Sequence, residues 1–139
     1  MRIKRLKRIA VLWLVLGLVV AALFTGIAFA YAKVGELEDM AASESVPVRY
    51  VTAGAIEEYT GKCANGFYDI AGNFIAVDIV QKLNARILAH ELGHYYAIMI
   101  FDDPSEAAAE KIACGLLLYG GGYVERLKTG FDDDNKNSE

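Results

Sequence analysis

The sequence predicts an α+β domain, in which a small antiparallel sheet packs on two helices, preceded by an N-terminal transmembrane helix. Three features predict this fold: an uncharged run at residues 9–32, strand and hairpin patterns within residues 46–78, and two helical patterns between residues 78 and 119. A chain of 139 residues is long enough for one compact domain of this kind and little more.

The apolar run at residues 9–32 predicts a membrane anchor. At about 1.5 Å per residue it forms a helix of about 36 Å, which crosses a bilayer with some tilt. Cleavage near Ala32, after a small-x-small sequence, is the alternative and would produce a secreted protein. The run exceeds the roughly 7 to 15 residues of a signal-peptide core, which favours an uncleaved signal anchor.

Charge is distributed unevenly around this run. Five of the fourteen Lys and Arg residues lie within residues 1–8, whereas all eighteen Asp and Glu residues follow residue 32. The positive-inside rule therefore predicts a single-pass protein with a cytoplasmic basic segment at residues 1–8 and an extracytoplasmic domain. The acidic character of the remainder argues against nucleic acid as a partner.

Three further segments follow the predicted anchor. Residues 33–45 are polar and acidic, which suits a linker or an extension of the membrane helix. Residues 46–128 contain the strand and helix patterns and form the predicted folded domain. Residues 129–139 are strongly charged, so we expect a disordered acidic tail there.

Two stretches predict β-structure. Val46–Thr52 alternates and is rich in β-branched residues, and Pro47 places it near a strand start or a sheet edge. Residues 66–78, GFYDIAGNFIAVD, carry two apolar-aromatic stretches around Ala71, Gly72 and Asn73, which suit a tight turn. This second stretch predicts a hairpin.

Two helices should follow the hairpin. Residues 78–81 have capping-box spacing and open a pattern that runs to about Phe101, with Gly93 as a point of weakness or a kink. Residues 103–106, DPSE, supply an N-cap, a proline at the first helical position and a glutamate at N3. This second helix should continue to about Tyr119, where three glycines stop it.

The two cysteines, Cys63 and Cys114, do not have the spacing of a zinc knuckle. An oxidising compartment would allow a disulfide between them. The apolar helical surroundings of Cys114 instead favour a buried free thiol.

The only two histidines of the chain, His90 and His94, lie in the sequence HELGH. Four residues apart on a helix, they present both imidazoles on one face, within reach of one Zn²⁺ ion. Glu91 lies between them and can act as the general base toward a zinc-activated water. H-E-x-x-H on a helix is typical of zinc metallopeptidases.

A catalytic zinc site needs three protein ligands and an open position, and there is no third histidine. The second helix offers Glu106 and Glu110 as carboxylate ligands. Their i, i+4 spacing places both on one face, so one can bind zinc while the other orients a ligating histidine. The residues themselves leave the choice open.

HELGH, followed by SEAAAEKIA and then LLL, resembles the ImmA/IrrE-like branch of small gluzincin metallopeptidases. The resemblance implies that Glu106 is the third zinc ligand, that Glu110 supports a histidine, and that the hairpin lines the substrate cleft. Glu110 and Ile112 depart from the family pattern, which has Asn or Asp and Phe at these positions.

Together these features predict a membrane-anchored zinc-dependent metallopeptidase, an endopeptidase that acts on a protein or peptide substrate with one Zn²⁺ ion. The alternative is a non-catalytic, membrane-anchored zinc-binding interaction module of the same fold. Tyrosines near the motif are candidates for stabilising the oxyanion, with no basis in sequence for choosing among them: Tyr95, Tyr96, Tyr119 and Tyr123.

Overall fold

A computed structural model describes residues 2–136 of the chain, with side chains for residues 9–130, and it divides into two compact units, residues 1–32 and 33–139. Its described part is a mixed α+β fold with five helices and one three-stranded sheet. The helices are α1 Arg2–Ser43, α2 Ala53–Thr60, α3 Ala85–Phe101, α4 Glu106–Tyr119 and α5 Gly121–Lys136, and the strands are β1 Val48–Val51, β2 Gly66–Asp69 and β3 Phe74–Asp78.

The first unit is the apolar part of α1. By length and composition, α1 is one helix that could cross a membrane. No side chain between residues 9 and 32 is buried, and large apolar groups such as Leu12, Trp13 and Phe24 are about 70% exposed.

The second unit begins with the last part of α1, at residues 33–43. Val34, Leu37 and Ala41 follow a helical spacing and are buried in the core. Residues 33–43 are therefore helical and continue α1, with an apolar face that the second unit buries.

The sheet has the order β1-β3-β2. Antiparallel pairing of β2 with β3 confirms the hairpin, and Asn73 adopts a left-handed φ of 49° in its turn. The prediction of a wholly antiparallel sheet is wrong, because β1 pairs with β3 in parallel, with Val48 opposite Ile75. Helix α2 and strand β2 lie between β1 and β3 in the chain and provide the long connection that parallel pairing requires.

Both predicted helices begin later than expected. Asp78 is still paired in β3, and its carboxylate caps a single 3-10 turn, Ile79–Gln81, by accepting from Val80 N at 3.2 Å. Helix α3 begins only at Ala85. In α4 the N-cap is Ser105, whose hydroxyl accepts from the backbone N–H of Ala108 at 3.2 Å.

Two helices were not predicted. Helix α2 lies in a segment for which the sequence predicts no element, and α5 begins at Gly121, directly after Gly120, which caps α4. Helix α5 covers residues 129–136 of the predicted disordered tail, and residues 137–139 lie outside the described residues. Val124 and Leu127 pack α5 on the core, which gives this charged segment a folded start.

Both cysteines are free and exposed. Cys114 is therefore not the buried thiol that its apolar neighbours predicted, because it lies on the outer face of α4, opposite the buried Ile112 and Leu116. One core cluster joins the end of α1, β3, α3, α4 and α5; its fully buried side chains include Leu37, Ile75, Leu88, Leu92 and Leu116.

Candidate metal centre

The HELGH sequence lies in the middle of α3. His90 and His94 are on the same face, with ring centroids 4.8 Å apart and ring planes at 90°. The opposite face of α3 is apolar and buried, through Leu88, Leu92 and Tyr96. Burial of that face turns both imidazoles toward the cleft beside the helix.

Glu106, in the first turn of α4, reaches both histidines. Its Oε2 lies 3.1 Å from His90 Nε2, and its Oε1 lies 3.5 Å from His94 Nε2. The side chain is 80% exposed, so it approaches from the open side of the cleft. His90, His94 and Glu106 offer ligand atoms that all lie within 4.8 Å of one another and could hold a metal ion.

Glu110 lies one turn further along α4 and contacts the other nitrogen of His90. Its Oε2 is 3.1 Å from His90 Nδ1, and its Oε1 accepts from Arg86 NH2 at 2.9 Å. The His90 and Arg86 contacts, in that order, lower the pKa of the Glu110 carboxyl. A proton on Nδ1 donated to Glu110 leaves the Nε2 lone pair of His90 facing Glu106.

These residues fit a zinc ion by donor type and spacing. Tetrahedral ligands at about 2.0–2.1 Å from zinc lie about 3.3–3.4 Å from each other, close to the two contacts of Glu106. Both ring nitrogens of His90 face carboxylate oxygens, and a neutral imidazole has one proton, so both contacts are satisfied either by a second ring proton or by a metal ion between Nε2 and Glu106. Burial lowers the pKa of His94, although the charge of Glu106 acts in the opposite direction. The lowered pKa favours the neutral imidazole, which is the form that binds metals.

Gly93 sets the distance between the two helices that carry these side chains. A Cβ at this position would lie 2.3 Å from the backbone oxygen of Ala109, the residue just before Glu110. Gly93 immediately precedes His94 in the chain. The predicted weak point of α3 is therefore a position of close helix contact, and α3 runs unbroken through it.

Glu91 is buried beside the cluster, with only 7% of its surface exposed. Burial raises the pKa of its carboxyl to about 7; the charge of His90 and the backbone N–H of Tyr68 lower it, and Glu106 raises it further. Gly66 of β2 approaches it closely, because a Cβ there would lie 3.3 Å from Glu91 Cγ. A carboxyl with a pKa near neutrality suits proton transfer.

A cleft of about 290 Å³ opens over these groups, between α3 and β2. A second cavity of about 300 Å³ adjoins it on the Arg86 side and shares its lining at Gly66, His90 and Glu91. Strand β2 lies at the edge of the described sheet, and its residues Gly66, Phe67 and Tyr68 line the cleft.

Sequence reasoning missed Arg86 and Tyr68. Arg86 is four residues before His90, and this i, i+4 spacing on the histidine face was the available signal. None of the four tyrosine candidates lines the cleft: the hydroxyls of Tyr95 and Tyr96 donate to Glu44 instead. Tyr68 lines the cleft and was not among them.

No protein-family model, curated protein or solved structure matches this chain. The resemblance to ImmA/IrrE-like gluzincins therefore rests on the motif residues, and it stays a prediction.

Proposed function

We propose that this chain is a membrane-anchored, zinc-dependent metallopeptidase that hydrolyses peptide bonds in a protein or peptide substrate. One observation carries the proposal: a buried glutamate, Glu91, adjoins three side chains that could hold a metal ion, at the floor of an open cleft. A site that only bound a metal would have no need of a buried, unligated carboxyl beside it.

In this proposal, His90 and His94 would hold zinc through ring nitrogens and Glu106 would hold it through a carboxylate oxygen. The bound ion supplies a water with a pKa near about 7 and a positive charge for the scissile carbonyl. Glu91 takes a proton from the attacking water as its oxygen bonds to the carbonyl carbon. Glu91 then delivers that proton to the amine as the C–N bond breaks.

The edge position of β2 supports an extended peptide as the substrate. A peptide that adds to this edge forms backbone hydrogen bonds, which give affinity with little side-chain preference. The cavities on both sides of Glu91 leave room for residues before and after the scissile bond, as an endopeptidase needs.

Metal analysis of the full-length protein tests the ligand set. We expect one zinc per chain in the wild type, loss of zinc in Glu106→Gln, and retention with affinity weakened about 10- to 100-fold in Glu110→Gln. Glu58→Gln, a change at an exposed residue of α2, is the matched control and should bind zinc normally. Zinc-free wild-type protein under zinc-replete conditions would contradict the proposal.

Hydrolysis of a quenched fluorescent peptide library tests the enzyme against the non-catalytic module. If the protein is an enzyme, Glu91→Gln should retain zinc and hydrolyse peptide at least about 100-fold more slowly, because general acid–base catalysis contributes at least about 100-fold to the rate. Glu58→Gln should keep full activity. A zinc-loaded wild type that cleaves no peptide in the library would favour the interaction module instead.

The exposed thiol of Cys63 offers a test of the proposed orientation. A membrane-impermeant maleimide added to intact expressing cells should label Cys63 in a Cys114→Ser variant, because the domain is expected outside the cytoplasm. Labelling only after permeabilisation would place the domain in the cytoplasm.

A further inference from the structure

The loop that joins β3 to α3, residues 79–83, exposes a group of apolar side chains. Val80 is 82% exposed, the highest value among the large apolar side chains that the structure describes, and Ile79 and Leu83 are 52% and 37% exposed. Lys82 is exposed beside them. Apolar groups exposed together in one short loop, next to a cation, are typical of contact with a lipid surface.

The direction of β1 shows which end of the second unit carries this loop. After α1 ends, the chain reverses, and Val46 N donates to Ala41 O at 2.8 Å. Further along, the hydroxyl of Tyr50 donates to Glu38 at 2.6 Å. Strand β1 therefore runs back along α1, toward Lys33.

Strand β3 is parallel to β1, with Asp78 opposite Val51, so it also ends toward Lys33. Lys33 lies about 7.5 Å before Glu38 along the helix axis. From Val77, which lies opposite Tyr50, one strand residue and two residues of the 3-10 turn can advance the chain to Val80 by about 7 Å at most. The exposed loop therefore reaches approximately the level of Lys33, the first residue after the apolar run.

The path of α3 is consistent with the same arrangement. Its Tyr95 and Tyr96 hydroxyls both donate to Glu44, just beyond the end of α1, at 3.3 and 3.4 Å. Because α3 begins directly after the loop that follows β3, and β3 ends toward Lys33, α3 starts on the Lys33 side and reaches Glu44 with Tyr95 and Tyr96. Met99, which is 64% exposed, lies beyond the tyrosines at the opposite end.

We propose that residues 79–83 form a second membrane contact, in which Ile79, Val80 and Leu83 enter the lipid interface and Lys82 meets anionic headgroups. The inference rests on the proposed membrane anchoring, which places Lys33 at the bilayer surface. Together with the anchor, this contact would give the second unit two points of attachment to the lipid.

Tryptophan fluorescence of the full-length protein in liposomes of neutral and anionic phospholipid tests the contact. The chain has a single tryptophan, Trp13, inside the predicted anchor. Val80→Trp and Met99→Trp are each made in a Trp13→Phe background, and emission is measured with lipids brominated near the headgroup and with aqueous iodide. Both sites are exposed, so neither substitution should disturb the fold.

We expect Val80→Trp to be quenched by brominated lipid and protected from iodide, and Met99→Trp to show the reverse. Equal iodide access at both sites, with native Trp13 still quenched by lipid, would overturn the loop contact and leave the anchor intact. Iodide access at Trp13 itself would overturn the anchor and the loop contact together.

Discussion

Replacing Gly93 by alanine tests whether close contact between α3 and α4 builds the metal centre. The new methyl group would lie 2.3 Å from Ala109 O, and contacts under 3.0 Å essentially do not occur for real Cβ atoms, so the helices must separate by at least about 0.7 Å. Overpacking of this kind costs about 1–3 kcal/mol, and the better helix propensity of alanine offsets about 1 kcal/mol. We expect a net loss of about 0–2 kcal/mol.

The same displacement should affect zinc more strongly than folding. Ligand distances in zinc sites are held to within about 0.2 Å. His94 lies on α3 and Glu106 on α4, so a displacement of the two helices at Gly93 changes the distance between these ligands. We expect zinc affinity to fall at least about tenfold, as it does when groups that orient ligands are changed.

Urea unfolding and zinc competition with a chromophoric chelator measure the two effects in the full-length protein in detergent. Gly54→Ala is the matched control, because a Cβ at this position of α2 meets nothing within 4 Å; it should be neutral or stabilising. A Gly93→Ala protein as stable as the Gly54→Ala protein, with unchanged zinc affinity, would refute the reasoning.

Three other perturbations give measurable outcomes. Arg86→Ala frees one oxygen of Glu110 and should weaken zinc binding by less than the roughly 10- to 100-fold expected for Glu110→Gln, with partial recovery in Arg86→Lys; an unchanged zinc titration would exclude a positioning role. Glu44→Gln removes the charge that pairs with Lys128 at 2.6 Å, which should lower the free energy of unfolding in urea by about 1 kcal/mol. An unchanged free energy of unfolding in Lys128→Met would count against this pair. Burial, followed by a hydrogen bond to a carboxylate of α1, raises the pKa of Tyr50, so the folded state keeps its proton while the unfolded state loses it above about pH 10. Stability should be unaffected below that pH and fall above it, and the fall should be shallower in Tyr50→Phe; identical alkaline profiles would contradict the assignment.

Local patterns predicted the elements whose signals are contained in a few neighbouring residues. The hairpin around Asn73 and the end of α4 before Gly120 are confirmed, because a turn or a helix stop depends on residues within one or two positions. Helix starts were less predictable. Asp78 has the residue type of an N-cap, but its pairing in β3 limits it to capping a 3-10 turn.

Longer-range features could not be predicted in this way. Parallel pairing of β1 with β3 depends on a connection that includes α2, a helix of only 8 residues with one buried side chain, Ile56. The segment after the apolar run looks polar in composition, yet Val34 and Leu37 are buried because the domain folds against that face of the helix.

The sequence by itself determined which side chains could carry the chemistry, because the spacing of His90 and His94 places them on one helical face whatever surrounds that helix. Only the tertiary structure decided how the carboxylates divide between them. Glu106 and Glu110 share a face of α4, and the close approach of the helices at Gly93 brings Glu106 to both histidines and Glu110 to the far nitrogen of His90. Spacing along one helix cannot specify that division, because it depends on where a second helix crosses the first.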